Sequence, residues 1–322
     1  MLTISVLIPA YNEEKRIARA LDSIMSQTML PDEVIVIDDG STDNTYNLAK
    51  EHPLKNILKL RVYSKVNGGL SSARNFGIQK SKSDFIALLD SDDEFESEHI
   101  EYLHKSYELF PESNVFYSAI KRKFSSKKIA LQESHLPDFR EISRQHKKYP
   151  SLTISPLKDT LFDNLIGGNF ITTSSSMFKK IIDCELVFFD ESLKYSEDRY
   201  FYLNLSILMP PIFIDKVNVI IHRDGNNVSN VKNSFLHRKY SVEVLERLYC
   251  DSRFKDLHPK VIEVLSDHLE DLLYVSSKKG ITYTVSSLKK CYKYKTKNIN
   301  NTKRLYYFFS SIVHTFKNKL NR

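Results

Sequence analysis

Four of the five residues from Ile4 to Ile8 are apolar, Ser5 being the exception, which reads as a buried strand. The stretch NEEKRIARALDSIMSQT follows, with Ile17, Ala20, Leu21, Ile24 and Met25 at helical spacing. EVIVID (Glu33 to Asp38) reads as a second strand. TDNTYNLAKEH reads as a helix with Thr42 or Asp43 as N-cap. LKLRVYS is a third strand, GGLSSARNFGIQKS opens a helix after two glycines, and DFIALLD is a fourth strand. This alternation predicts an α/β fold with parallel strands and helices on both faces. Ligands of such sheets bind beyond the carboxyl ends of the strands. The polar clusters PAYNEE, DDGSTDNT and DSDD stand at those ends and are expected along one sheet edge.

The pattern weakens after residue 124. Residues 125–156 are polar and irregular, which predicts a loop or insertion. GGNFITTSSSMFKK predicts a small-residue turn entering a strand. FDESLKYSEDRYFYLNLSIL predicts a helix starting near Ser196, with Glu197 and Asp198 in its first turn. VNVIIHRD predicts another strand, and from about Val231 the pattern is helical. Two regions are expected, residues 1–230 and a helical region 231–322.

Composition changes this picture little, but charge changes it more. Hydrophobic residues make up 41% and charged residues 27%, as in an ordinary globular protein. The net charge is +7, and it is unevenly spread. From Lys278 to Arg322 there are 12 basic residues and no acid, leaving 35 basic against 40 acidic residues elsewhere. Tyr292, Tyr294, Tyr306, Phe308, Phe309 and Phe316 interleave with these charges. Such a tail suits either an anionic membrane surface or a solvated helical face. No nucleic-acid motif accompanies it, so no nucleic acid is expected as partner. The three cysteines are far apart and suit a reducing compartment. The start MLTISVLIPAYNEE lacks a basic region and its apolar run is broken by Pro9, so it is not read as a signal peptide. No uninterrupted apolar run approaches the ~20 residues that span a bilayer. A cytoplasmic protein, peripheral at the inner face of the membrane, is expected.

The carboxylates carry the candidate chemistry. In FIALLDSDDEFESEHI a buried strand runs into Asp90, Asp92 and Asp93. Like charges this close oppose each other's ionisation. On a strand residues i and i+2 point the same way, so Asp90 and Asp92 share one face with Ser91 on the other, a hard-oxygen site for Mg²⁺ or Mn²⁺ brought in with a diphosphate. The plain alternative is an aspartate turn. Asp38 and Asp39 before Gly40 could accept hydrogen bonds from a base or ribose, or form an Asx-turn. In NGGLSSARN, backbone N–H groups at a helix start and Arg74 suit a phosphate; a glycine turn with Arg74 pairing one of the acids serves equally. Glu197 and Asp198 at a helix start gain from the dipole and oppose one another, or simply cap the helix.

Together, VLIPAYNEE, EVIVIDDGSTDNT, NGGLSSARN, LLDSDD and SEDRYF resemble the successive motifs of the inverting family 2 glycosyltransferases of GT-A fold. The resemblance covers about Ile4 to Ser229. It implies a Rossmann-like, mostly parallel sheet flanked by helices, with the helical C-terminal region outside it. It implies that Pro9, Tyr11, Glu13 and Asp39 hold the nucleotide base and ribose and that Arg74 lies near the nucleotide. Asp90 and Ser91 would bind the donor, and Asp92 would hold Mn²⁺ or Mg²⁺. Asp198 would be the general base. His222 in IIHRDGNNVS is a second candidate metal ligand, though its spacing departs from the family pattern; a strand-end histidine without chemistry is the alternative. The implied reaction moves a sugar from a UDP-sugar to a hydroxyl of a glycan acceptor carried on a lipid, as in bacterial capsule, O-antigen or lipooligosaccharide assembly. There is no tryptophan, hence no Gln-x-x-Arg-Trp segment of the processive synthases, which implies single additions. No GxGxxG follows the first strand, against a dinucleotide oxidoreductase, and no GxGxR follows it, against a nucleotidyltransferase. A non-catalytic nucleotide-sugar-binding scaffold and a retaining transferase remain the rival readings.

Overall fold

The computed structural model describes residues 2–124, 144–146, 149–156, 165–167, 171–207, 211–223, 234–294 and 301–320. The chain forms two compact units, one of residues 1–165 with 169–226 and the other of 166–168 with 227–322. The 230/231 boundary expected from sequence lies outside the described residues.

In the first unit β1 (Ile4–Ala10), β2 (Glu33–Asp38), β3 (Leu60–Ser64) and β4 (Phe85–Leu88) lie in the order β3-β2-β1-β4, all parallel. Every residue of β1, β2 and β4 is buried, which explains why their sequences are mostly apolar. Between them run α1 (Ile17–Met25), α2 (Thr45–Lys50) and α3 (Leu70–Lys80). Ile17, Ala20, Leu21 and Ile24 of α1 are fully buried on the core, and that periodic stripe is what makes the segment a helix against this sheet.

The sheet continues beyond β4 with reversed direction. The chain passes through β5 (Glu94–Phe95), α4 (His99–Leu109), β6 (Val115–Phe124), β7 (Arg144–His146), β8 (Tyr149–Pro156), β9 (Ser176–Lys179), β10 (Ile181–Ile182), β11 (Glu185–Leu186), α5 (Glu197–Ser206) and β12 (Ile212–Arg223) in that order, with β10 and β11 forming a separate two-stranded sheet. Strand β9 is antiparallel to both β4 and β6, and β12 is parallel to β6. Strands β8 and β7 add antiparallel edges. The loop expected over 125–156 is corrected there: β8 spends Tyr149–Pro156 on pairing with β7 and β12. Leu152 and Ile154 alternate there with Ser151, Thr153 and Ser155, a strand's two-residue period over five residues only. The rest of that stretch, 125–143 and 147–148, lies outside the described residues.

The second unit contains α6 (Ser234–Cys250), α7 (His258–Lys279), α8 (Ile281–Lys293) and α9 (Asn301–Leu320), as the helical periodicity predicts. No helix among the described residues is long and apolar enough to cross a membrane.

Candidate active site

The clusters PAYNEE and DDGSTDNT meet at the carboxyl ends of β1 and β2. Ala10 pairs with Asp38 at the last rung, and the Asp39 N–H donates to the Ala10 carbonyl at 2.8 Å. Asn12, in the left-handed region at φ 55°, donates its N–H to Ser41 Oγ at 2.9 Å and accepts from the Thr42 N–H at 2.8 Å. Thr45 Oγ1 accepts from the Glu13 N–H at 2.7 Å. These bonds tie the loop after β1 to the loop after β2 and leave the Tyr11 ring half exposed. The Glu13 carboxylate is held by Arg16 one turn on, at 2.5 and 2.9 Å, and Pro9 is buried inside β1.

Asp39 is buried. It accepts from Lys65 Nζ at 2.7 Å and from the Gly68 and Gly69 N–H groups at 3.0 and 2.7 Å. Its charge therefore closes the turn that launches α3, where Gly69 at φ 88° occupies the N-cap position. The glycine turn and the acid cluster, separate in sequence, are one structure.

Arg74, one turn into α3, is fully buried and joins two distant acids. Nη2 donates to Asp90 Oδ1 at 2.9 Å and Nη1 to Glu197 Oε1 at 3.2 Å. Burial alone would lower the guanidinium; Asp90 and Glu197 outweigh it and hold Arg74 above its usual value. Its face lies 5.1 Å from the Phe189 ring centroid. Asn75 clamps Phe189 in place, donating to its carbonyl at 2.9 Å and accepting from its N–H at 2.8 Å.

The expectation that Asp90 and Asp92 share a strand face is corrected. Strand β4 ends at Leu88, and the Asp93 N–H donates to the Asp90 carbonyl at 3.0 Å, so Asp90 to Asp93 form a turn. The turn sends its acids different ways. Asp90 goes to Arg74, and also accepts from Thr173 Oγ1 at 2.9 Å. Asp93 goes inward, accepting from Ser174 Oγ at 2.6 Å and from the His222 N–H at 3.2 Å. Burial, then the charges of Asp90 and Asp92, raise Asp93 well above the ordinary carboxylate range. Ser91 is buried and Asp92 partly so. The Asp92 carbonyl accepts from Arg19 of α1 at 2.5 Å.

His222 lies near the end of β12 with Nε2 2.5 Å from Glu94 Oε1, and Glu94 also faces Arg19 Nε at 3.2 Å. Burial first, then Arg19, lower the His222 pKa. Among the described residues no three His, Cys, Asp or Glu side chains group to hold an ion unaided. The donors in the turn are carboxylate oxygens, which fit a hard cation completed by phosphate oxygens rather than a caged transition metal.

Glu197 and Asp198 start α5, as the sequence predicts, after Ser196 in the left-handed region at φ 60°. Asp198 Oδ1 accepts from the Arg199 N–H at 2.7 Å. Burial, then the neighbouring Asp198 charge, push Glu197 up to about 7 against the pull of Arg74. Two adjacent acids thus differ in environment: Glu197 turns inward to the arginine while Asp198 stays at the helix start, partly exposed.

A sequence model described as Glycosyl transferase family 2 matches residues 5–175, just over half of the chain. The chain belongs to glycosyl transferase family 2. An uncharacterised glycosyltransferase of Rickettsia typhi is 31% identical over 196 residues, which are 61% of this chain and 56% of that protein. The chondroitin synthase of Pasteurella multocida is 39% identical over 104 residues, 32% of this chain and 11% of the synthase. The chain thus spans about half the length of the first relative and far less of the second. Among solved structures, S. aureus TarS 1–349 in complex with UDP-GlcNAc is similar at TM-score 0.59 and 19% identity, covering 91% of this chain and 92% of that one. The mannosyltransferase PcManGT from Pyrobaculum calidifontis, in complex with GDP-Man and Mn²⁺, is similar at TM-score 0.57 and 16% identity, covering 98% and 87%. The fold is of the GT-A type, an α/β sheet with flanking helices followed by C-terminal helices.

Within this family 2 fold, four residues that hold the site together escape the sequence reading. Thr173 and Ser174 anchor Asp90 and Asp93, Arg19 fixes the Asp92 carbonyl, and Asn75 holds Phe189 under Arg74. The run TTSSS reads as small-residue turn chemistry, and nothing in its pattern names its partners 80 positions upstream.

Proposed function

We propose that this family 2 protein is an inverting, non-processive glycosyltransferase that moves a sugar from a UDP-sugar to a hydroxyl of a glycan acceptor carried on a lipid, in bacterial surface polysaccharide assembly. The observation that carries this reading is Arg74, which binds Asp90 on the donor side and Glu197 beside Asp198 in one buried unit. The likeness to TarS bound to UDP-GlcNAc supports a UDP-sugar donor, and the glycosaminoglycan synthase relatives support a glycan acceptor. Tyr11 and the loop after β1 form the base side of the donor site, with Pro9, Glu13 and Asp39 shaping it. Asp90 and Ser91 face the ribose, and Arg74 holds that acid in place through its Nη2 donation.

A divalent cation, Mn²⁺ or Mg²⁺, when held by Asp92 and the donor diphosphate, would offset the charge gathering on the leaving group. His222 would stand near that centre through Glu94. Asp198 takes the proton of the acceptor hydroxyl as its oxygen bonds to the anomeric carbon. The bond to the diphosphate breaks on the opposite face, and the electron pair leaves with the diphosphate, so the anomer inverts. Glu197, held neutral over the lower part of the pH range, keeps a second full charge away from Asp198. The reaction would take place at the cytoplasmic face of the membrane.

The test is a panel of nucleotide-sugars screened for thermal stabilisation with and without Mn²⁺, followed by transfer to a soluble acceptor and proton NMR of the product. A UDP-sugar should stabilise most, and the anomeric coupling should show inversion. Retained configuration would favour the retaining rival, and binding without transfer the scaffold.

A further inference from the structure

Among the described residues, helix α9 packs on one side. Ser311 is fully buried, the Tyr307 ring lies 6.2 Å from that of Tyr274 on α7, and Thr315 Oγ1 accepts from the Ile281 N–H of α8 at 3.0 Å. Positions 307, 311 and 315 thus face the unit's own core. On the other side Leu305, Tyr306, Phe309 and Val313 are 57%, 68%, 60% and 51% exposed. Their spacing places them on one stripe of the helix. Four large apolar side chains in a row, left in water, mark an interaction surface.

Charge says what covers it. Residues 227–322 of the second unit carry 19 basic and 8 acidic residues, whereas residues 1–226 carry 28 and 32. The α9 sequence itself holds Lys303, Arg304, Lys317 and Lys319 and no acid. A second copy of the chain would bring one strongly cationic unit against another. A hydrophilic polyanion would pair with the charges but leave the stripe in water. An apolar stripe on a cationic, acid-free helix fits a surface with negative headgroups above hydrocarbon.

We infer that α9 docks this protein on an anionic phospholipid bilayer, lying in the interface with Leu305, Tyr306, Phe309 and Val313 inserted. This gives the membrane location proposed above a defined surface, and it does not depend on the chemistry of the site.

The experiment uses the full chain and its double variant Leu305→Asp/Phe309→Asp, sedimented with vesicles of phosphatidylglycerol mixed with phosphatidylcholine or of phosphatidylcholine alone. The unsubstituted protein should partition onto the anionic vesicles at least about tenfold better, and added salt should release it. The double variant should lose about tenfold or more of that binding, with unchanged melting temperature and unchanged transfer to a soluble acceptor. Equal binding by the variant, or no vesicle binding by the unsubstituted protein, would overturn the inference. So would a dimer in sedimentation velocity that the variant dissociates, which would make the stripe a subunit contact. Vesicle binding without any transfer would sink the catalytic proposal and support this one.

Discussion

Arg74 and Glu197 stand 123 residues apart in sequence and meet at 3.2 Å. The same guanidinium meets Asp90 at 2.9 Å, so a single buried cation is shared by the acid turn after β4 and the first turn of α5. Removing it strands two partly buried acids. Arg74→Met should destabilise the fold by about 3 kcal/mol, the cost of breaking a buried pair. Arg74→Lys should fall between, because a point charge cannot span both acids as the planar fork does. Urea unfolding of the three proteins checks this, and equal midpoints would mean that the bridge contributes nothing.

Glu197 gives stability a pH dependence of definite sign. Its folded-state pKa of about 7 lies above its ordinary 4.5, so the native state binds this proton more tightly than the unfolded state does. The contribution is present below about 4.5 and is lost as pH rises to about 7. It amounts to about 3 kcal/mol at most. Glu197→Gln should flatten the decline across that window while keeping a hydrogen-bond acceptor for Arg74. Urea midpoints measured at several pH values decide it; an unchanged slope would assign the decline to other groups.

Much of the donor half was legible because its strands are buried on both faces. The apolar runs of β1, β2 and β4 and the stripe of α1 follow from burial, and burial follows from sequence. The placing of PAYNEE, DDGSTDNT and DSDD at one edge follows from parallel topology alone. The DSDD turn was misread because periodicity cannot show where a strand stops: Leu89 and Asp90 continue the apolar-to-acid pattern after pairing has ended at Leu88. Thr173, Ser174 and Asn75 were missed for a different reason. Small polar residues acquire roles from partners brought by the sheet, and their local pattern carries no trace of them. Strand β8 went unread because its alternation, Leu152 and Ile154 between Ser151, Thr153 and Ser155, is short and ends a long polar stretch.

The turn supplies the next test. Asp92→Ala should lower turnover roughly 10²–10³-fold, the scale of removing one group that stabilises leaving-group charge. Melting temperature should change little, since the packing of the turn rests on Asp90 and Asp93. Chelation by EDTA should reproduce the loss, and added Mn²⁺ should reverse it in the unsubstituted protein. Full turnover in EDTA would remove the metal from the proposal.

Asp198→Asn separates binding from chemistry. The amide keeps the shape and can still accept from the Arg199 N–H, but it cannot take a proton. Donor affinity, read by UDP titration, should stay within about twofold, while transfer falls by roughly 10²–10⁴-fold. Weakened UDP binding at equal stability would place Asp198 in the donor site.

The position of Arg74 depends in turn on how closely α3 lies on β1. A Cβ built at Gly77 would stand 2.1 Å from Leu7 Cδ1 and 2.9 Å from its Cδ2. Alanine favours a helix over glycine by about 1 kcal/mol, but overpacking a tight contact costs about 1–3 kcal/mol. Leu7 is fully buried in the sheet and has little room to yield, so the clash should win and Gly77→Ala should destabilise. Leu7→Ala alone opens a cavity and should cost about 2–5 kcal/mol. In the double variant the new methyl enters the space the leucine vacated, so the two costs should not add. A double-mutant cycle should show a favourable coupling of about 1 kcal/mol or more. Strict additivity would mean that α3 shifts bodily along the sheet to admit the methyl. In that case Gly77→Ala should also move Arg74 away from Asp90 and depress transfer without any change at the site itself.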